Sequence, residues 1–412
     1  MLSEKIPLAS AAQLMMLMLF AVRSKKRSRR AFLDAPAWLQ SEDSWIPVRW
    51  ETCPSTEKNV HKNKHRDGTK TINGFRVYKD RLGDGNFAKV KRCEEEETGR
   101  TFAMKVFRKL PLRRQREFMR SGEGMTVRTH LDKVYGELEL MKGITHPGCV
   151  RLYAIFDEAH QNGKIYAVLE HVPGGQVMDW DEVKCRFFAV GMAAQEADAS
   201  GLIPEEKMKV YLSDLLEALS YLHAVAMVAH RDVKPQNLLL DGSSTLKLGD
   251  FGVAAKMDED HLVHGTEGTY PFFSPEMCQT GYVGHDGRKA DMWATGVCVW
   301  AFLLGTLPFH HEDLAALMDA IAFGEVELPE GNTLSEDSRR LLKWLLCKDP
   351  AARPLSEAVL LDAMLGGAQS PHGPLPALRK SERFKPFGWS RRKAETPEEV
   401  ELLRLGLAQI GK

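Results

Sequence analysis

The spacing of apolar positions changes along this chain, and the change divides it. Phe75 to Leu82, Ala88 to Glu94 and Thr101 to Arg108 have strand composition, and Thr98-Gly99 supplies the turn between the last two. Val150 to Asp157 and Lys164 to Glu170 bring the predicted strands to five. One helix interrupts them: Leu131, Val134, Leu138 and Met141 fall on one face at helical spacing. Val172-Pro173-Gly174-Gly175 then marks a break, read as a hinge between a strand-rich part and a helix-rich part. Beyond it, Met208, Tyr211, Leu212, Leu215, Leu216, Leu219 and Leu222 predict a strongly amphipathic helix with Pro204 at its opening. Asp291 opens a segment to Leu304 that is apolar nearly all round, hence a buried helix, and too short to span a membrane. Leu238-Leu239-Leu240 and Leu246-Lys247-Leu248 flank Asp241-Gly242 as a short hairpin. Residues 176–203 hold few regular signals and are expected to form a helix plus an insertion. Residues 31 to about 72 show no sustained period, Lys58 to Lys70 reads as linker, and order is expected from near Ile72.

Charge and cysteine content narrow the picture. Lysine plus arginine equals aspartate plus glutamate at 56 each, so no global charge points to nucleic acid. Seven scattered cysteines without a Cys-x-x-Cys pair suggest neither a metal nor a redox site and fit a reducing compartment, which makes the expected location cytoplasmic. The apolar run Pro7 to Val22 is followed at once by Arg23, Lys25, Lys26, Arg27, Arg29 and Arg30, the reverse of a secretory signal. A membrane tether, an organellar targeting segment and a tail of no consequence all fit residues 7–22, and the basic cluster also admits a nuclear signal.

Chemistry concentrates in a few loops. His230-Arg231-Asp232-Val233-Lys234-Pro235-Gln236-Asn237 offers a carboxylate, an ammonium and a carboxamide in a turn that Pro235 restricts. Gly83-Asp84-Gly85-Asn86-Phe87-Ala88 is a turn whose small residues let backbone approach an anion, although a plain hairpin turn has the same composition. Lys105 is the one charge in Phe102-Ala103-Met104-Lys105-Val106 and needs an anionic partner if buried. Glu137 lies beside the apolar face of the predicted helix and can supply it, whereas Glu139 belongs to a solvated face. Asp250, in Asp250-Phe251-Gly252 after the hairpin, and Asn237 offer the oxygen ligands a hard cation prefers, with Gly252 as the flexible joint.

In their order over about residues 74 to 365 these motifs resemble a eukaryotic Ser/Thr protein kinase. The resemblance extends to Ser274-Pro275-Glu276, with Arg353 as the partner of Glu276, and to Gly265-Thr266-Glu267-Gly268-Thr269 as part of an activation loop. More finely, Ile72-Asn73-Gly74-Phe75, Val134-Tyr135-Gly136-Glu137, Gly175-Gln176-Val177-Met178 and Leu345-Leu346-Cys347-Lys348-Asp349-Pro350 are similar to the calcium/calmodulin-dependent protein kinase kinases and the plant kinases that activate the sucrose-nonfermenting-related kinases. Ala88 stands where the family has a third glycine, and no His-Pro-Trp follows the last helix.

The resemblance implies an α+β, two-lobed kinase fold: a small antiparallel-sheet lobe with one main helix over residues 73–172, and a larger, mainly helical lobe over 173–365. Residues 1–72 precede it as apolar and basic segment and linker, and 366–412 follow as a tail. It implies ATP and Mg²⁺ as cofactors, with Asp232, Lys234, Lys105 and Glu137 catalytic, and Asn237 and Asp250 holding the metal. Asp291 would cap backbone donors of the catalytic loop. Leu82, Gly83, Gly85, Val90, Ala103, Lys105, Leu169, Glu170, Val172 and Leu239 would line the nucleotide pocket. Lys234 favours Ser/Thr over Tyr as acceptor, and the subfamily implies an upstream kinase acting on another kinase's activation-loop Thr. Arg231 beside Asp232 suggests an ordered loop, with Thr266 the better phosphosite and Thr269 structural. The alternatives are a pseudokinase scaffold or binding module, for which only Ala88 speaks, and a small-molecule kinase, which Gly268-Thr269 disfavours. Residues 375–393 mix Phe384, Phe387 and Trp389 with basic residues, as in a calmodulin target, and Thr396-Pro397-Glu398-Glu399 is a capping box for a final short helix.

Overall fold

The computed structural model describes residues 54–84, 88–121, 124–279 and 284–364. The chain divides into units Met1–Gly367 and Ala368–Lys412, and every described residue lies in the first. The apolar run at 7–22, the basic stretch at 375–393 and the capping box at 396–399 fall outside the described residues, as does Gly85.

The small lobe is built on an eight-stranded sheet. Its strands are β1 (Thr56–Glu57), β2 (Lys62–Lys64), β3 (Lys70–Ile72), β4 (Phe75–Asp84), β5 (Ala88–Glu95), β6 (Thr101–Arg108), β9 (Leu152–Asp157) and β10 (Lys164–Glu170), in the order β1-β9-β10-β6-β5-β4-β3-β2; β7 (Arg116–Ser121) and β8 (Gly124–Thr129) form a separate hairpin. The five predicted strands are all present. The stretch read as linker is not one: β1 pairs in parallel with β9, and β2 and β3 extend the opposite edge, so the sheet begins before residue 73. The physical reason is the two-residue turn Asn73-Gly74, both with positive φ (44° and 83°), which folds β3 back on β4 with Ile72 opposite Phe75. Asn73 also ties the wrap together, donating to Glu57 and to the Asn59 carbonyl while accepting from the His61 N–H at 2.7 Å.

The central strands of the sheet carry buried apolar residues on both faces. Phe75, Phe102, Met104, Phe156, Tyr166 and Val168 form a compact cluster on one side. On the other side packs helix α2 (His130–Lys142), which follows the short α1 (Lys109–Arg114) and the β7–β8 hairpin; Thr129 and Asp132 cap α2 reciprocally. Leu131, Val134, Glu137, Leu138 and Met141 are its buried residues, so the predicted face is the observed one, with Glu137 the polar member. Glu139 is exposed and pairs with Lys142.

Past the hinge, the helix expected within 176–203 is reduced to a single 3-10 turn at Ala193–Gln195. Gly175–Gln176 pairs with Leu239–Leu240, and Met178–Asp181 and Arg186–Ala189 form a hairpin. Aromatic and alternating residues decide this: Met178, Phe187 and Ala189 are buried, and Trp180 meets Phe187 edge to face with 4.9 Å between ring centroids. Asp181 closes the turn by accepting from the Val183 and Lys184 N–H groups.

The larger lobe is helical: α3 (Glu205–Tyr221), α4 (Gly287–Leu304), α5 (Leu314–Phe323), α6 (Glu336–Leu345) and α7 (Ser356–Met364). The apolar residues predicted along α3 are buried, each large one contributing about 1.5–3 kcal/mol. Helix α4 is buried through almost its whole length, but it starts four residues before Asp291, with Asp286 as its cap. Asp291 therefore sits one turn inside. Among the described residues no helix is long and apolar enough to cross a membrane.

Candidate active site

Lys105 lies at the meeting of sheet, helix and hairpin. Cross-strand register pairs Val90 with Lys105 and Leu169 with Ala103, and alternation along a strand turns Ala103 and Lys105 the same way, so Val90, Ala103, Lys105 and Leu169 share one face of the sheet. The Lys105 ammonium donates to Glu137 Oε1 at 2.7 Å and to Asp250 Oδ1 at 3.0 Å. Burial opposes its charge, but the two carboxylates more than offset this and raise its pKa. In turn the Lys105 charge holds Asp250 below the usual carboxylate range. Asp250 itself has positive φ (55°), so the sharp bend falls at Asp250 rather than at Gly252, and its carboxylate is half-exposed.

Around these groups the other predicted nucleotide-pocket positions are distributed over both lobes. Leu82 and Gly83 are exposed near the end of β4, and Leu169, Glu170, Val172 and Leu239 are partly buried at the hinge. The Glu170 N–H is already engaged by the Arg151 carbonyl at 2.8 Å, and the Glu170 carboxylate by Lys247 at 2.9 Å. Val172 accepts from the Gly175 N–H at 3.3 Å.

The second centre is the loop His230–Asn237, which buried hydrogen bonds hold from below. Asp291 accepts from the His230 and Arg231 N–H groups, each at 2.8 Å, and pairs with His223 at 2.8 Å. Burial opposes ionisation of Asp291, yet the His223 hydrogen bond and charge keep its pKa below the ordinary value. The His230 ring contacts the Gly249 carbonyl at 3.0 Å and lies against Phe251, joining the loop to the Asp250 turn. Above this base, Asp232 gathers three partners: Asn237 Nδ2 at 2.9 Å, Lys234 Nζ at 2.8 Å and Thr269 Oγ1 at 2.6 Å. Lys234 also donates to Thr269 at 2.8 Å.

Farther along, Glu276 and Arg353 form the expected bidentate pair, at 2.8 and 3.0 Å. Two residues outside the predicted set join the network: Glu267 bonds Lys133 at 2.8 Å and Arg231 at 3.3 Å. The one sequence signal for Lys133 is its place a turn before Glu137 on α2; Glu267 has none, being a loop carboxylate without periodicity.

Gly268 shows how tightly the segment meets the loop. Its φ is 129°, and an added Cβ would lie 2.4 Å from the Arg231 carbonyl oxygen. Gly268→Ala is expected to lower kcat by about tenfold or more, because strain of ~1–3 kcal/mol there displaces Thr269 from Asp232. Steady-state kinetics checks this, with circular dichroism showing that the variant still folds and a Tm lowered by a few degrees as the strain requires.

A cation at Asp250 and Asn237 fits the donor set in one respect. Among the described residues no group of three or more His, Cys, Asp or Glu could hold a metal alone, so two oxygen ligands would need the remainder from phosphates, the habit of Mg²⁺.

The protein kinase domain model matches residues 76–363. The chain is 33% identical to the Arabidopsis thaliana serine/threonine-protein kinase GRIK2 over 75% of its own length and 68% of that relative's. It is 33% identical to the CBL-interacting serine/threonine-protein kinase 15 of the same plant, over 68% and 58%. With the Schizosaccharomyces pombe serine/threonine-protein kinase ssp1 it shares 31%, over 84% and 51%. Across these and similar relatives the chain spans between 40% and 70% of their length. A two-lobed fold with an ion-paired lysine, an acid-bearing loop and a domain match over most of the chain together mean that it belongs to the protein kinase family, among the serine/threonine kinases.

Proposed function

We propose that the chain is an ATP- and Mg²⁺-dependent kinase that phosphorylates protein Ser/Thr hydroxyls, acting upstream on the activation-loop Thr of another kinase. The observation that carries the reading is the Lys105 ammonium bonded at once to Glu137 and Asp250, which sets a cation and a half-exposed carboxylate side by side. When bound, Mg²⁺–ATP supplies the phosphoryl group and a divalent charge.

The residues then divide the work. Lys105, oriented by Glu137, binds phosphate oxygens. Asp250 and Asn237 hold the metal. Asp232 orients the acceptor hydroxyl and takes its proton, and Lys234 offsets negative charge as the phosphoryl group moves. Thr269, hydrogen-bonded to both Asp232 and Lys234, keeps these two aimed until an acceptor displaces it. Val90, Ala103 and Leu169 give the base an apolar surface. A pseudokinase finds no support here, since Lys105, Glu137, Asp232, Lys234, Asn237 and Asp250 are all present.

The upstream role rests on the subfamily resemblance. Calmodulin recognition through 375–393, a membrane tether through 7–22 and a cytoplasmic or organelle-directed location are proposals on residue pattern alone. The test is labelled-phosphate transfer to an activation-loop peptide of an AMP-activated-type kinase, to its Thr→Tyr and Thr→Ala versions, and with Mg²⁺ chelated. Transfer to the Thr peptide alone, lost on chelation, is expected; equal labelling of the Tyr peptide would overturn the acceptor assignment. Adding Ca²⁺–calmodulin reports on the tail, and no response would discard that partner.

A further inference from the structure

Catalytic loops that carry Arg beside the acid need an anion against that Arg if the following segment is to stay ordered, and a phosphorylated side chain is one way to supply it. Here the anion is already part of the chain. Arg231 is buried; its guanidinium reaches the Val253, His264 and Gly265 carbonyls and, at 3.3 Å, Glu267 Oε2. The other oxygen of Glu267 meets Lys133 Nζ at 2.8 Å. Lys133 is also held by Glu117 at 2.7 Å, from the β7–β8 hairpin. Burial opposes the Lys133 charge, and its hydrogen bonds to Glu117 and Glu267 more than offset this. Glu267 thus bridges two cations, Lys133 and Arg231, in a cleft of about 470 Å³ that Arg128, Lys256, Glu137 and Glu139 also line.

The connections run to both halves of the active site. Arg231 adjoins Asp232 in the loop. Lys133 lies one helical turn before Glu137 on α2, so whatever holds Lys133 holds the helix that aims Glu137 at Lys105. Thr266, next to Glu267, is exposed and takes no part in these contacts.

Resting on the kinase reading above, we propose that Glu267 is a positioning residue that stands permanently where a phosphorylated side chain would act, fixing loop and helix together so that the enzyme is active without phosphorylation of its own activation segment. Because one carboxylate restrains both elements, losing it raises KM for ATP through the helix and lowers kcat through the loop.

The experiment uses the full chain, treated with a broad phosphatase and verified phosphate-free by intact mass, beside Thr266→Ala, Glu267→Gln, Glu267→Asp and Asp232→Asn. The phosphate-free wild type and Thr266→Ala are expected to keep at least about half of the untreated activity. Glu267→Gln is expected to lose about tenfold or more in kcat with a raised KM for ATP, and Glu267→Asp to recover part of both, as a charge-assisted contact predicts. A tenfold loss on phosphatase treatment, or Glu267→Gln within about twofold of wild type, would overturn the proposal while leaving the kinase reading intact. The phosphatase arm needs no variant, so a poorly folding Glu267→Gln does not spare it. Transfer by wild type no greater than by Asp232→Asn overturns both.

Discussion

Asp232→Asn is expected to lower kcat by on the order of 10²–10⁴ while leaving KM for ATP nearly unchanged. The carboxamide keeps the shape but has one acceptor where the carboxylate has two, so Asn237 keeps its contacts with the side-chain oxygen and the backbone carbonyl while Thr269 must turn from donor to acceptor; the loop stays in place through Asp291, which bonds His230 and Arg231 rather than Asp232. What is lost is the base. The charge partner of Lys234 goes as well, freeing its ammonium from the 2.8 Å pair. Labelled-phosphate transfer under single-turnover conditions, with nucleotide affinity measured separately, isolates the effect. A variant with ordinary turnover would mean that some other group takes the proton, and no second carboxylate among the described residues contacts Thr269.

The largest effect on stability is expected far from that chemistry. Arg353 is fully buried, pairs with Glu276, donates to the Cys347 and Lys289 carbonyls at 3.0 and 2.7 Å, and lies over the Trp293 ring at 5.2 Å. Arg353→Leu strands the Glu276 carboxylate and these carbonyls together, at about 3–5 kcal/mol. Tm should fall on the order of 10 °C. Glu276→Gln should cost less, because Arg353 keeps its backbone acceptors. Thermal unfolding followed by circular dichroism compares the two. Equal shifts in both variants would mean that the Arg353 carbonyl contacts add nothing beyond the ion pair.

The fold was legible wherever one residue's needs could be read from its neighbours. Lys105 on an apolar strand demanded an anion, and helical spacing singled out Glu137; both belong to short local patterns. Asn73-Gly74 was just as local, a two-residue hairpin signal, but the polar Lys58–Lys70 before it masked the strand it turns. Lys62-Asn63-Lys64 becomes a strand only because β3 is beside it, a tertiary cause with no trace in composition. The 178–189 hairpin was hidden differently: its alternation is four residues long, too short to separate from an irregular helix without its partner. Among site residues, Asp232, Lys234, Asn237 and Asp250 announce themselves by order along the chain. Glu267 does not, since its partners lie 36 and 134 positions away and nothing periodic links them.

The wrap formed by residues 56–64 bears on solubility. Both rims of the small-lobe sheet belong to it: β1 lies outside β9, and β2 outside β3. One rim is a strand of two residues and the other is flanked by Lys62 and Lys64, the short and charged edges that resist pairing between molecules. A fragment cut at residue 73, where the motifs of the family begin, uncovers β9 and β4 instead, with Ile155 and Phe156 along the bared margin. Such a fragment carries every group proposed above to act in catalysis and yet offers a template for strand addition, so the practical boundary for a monodisperse fragment lies upstream of Thr56.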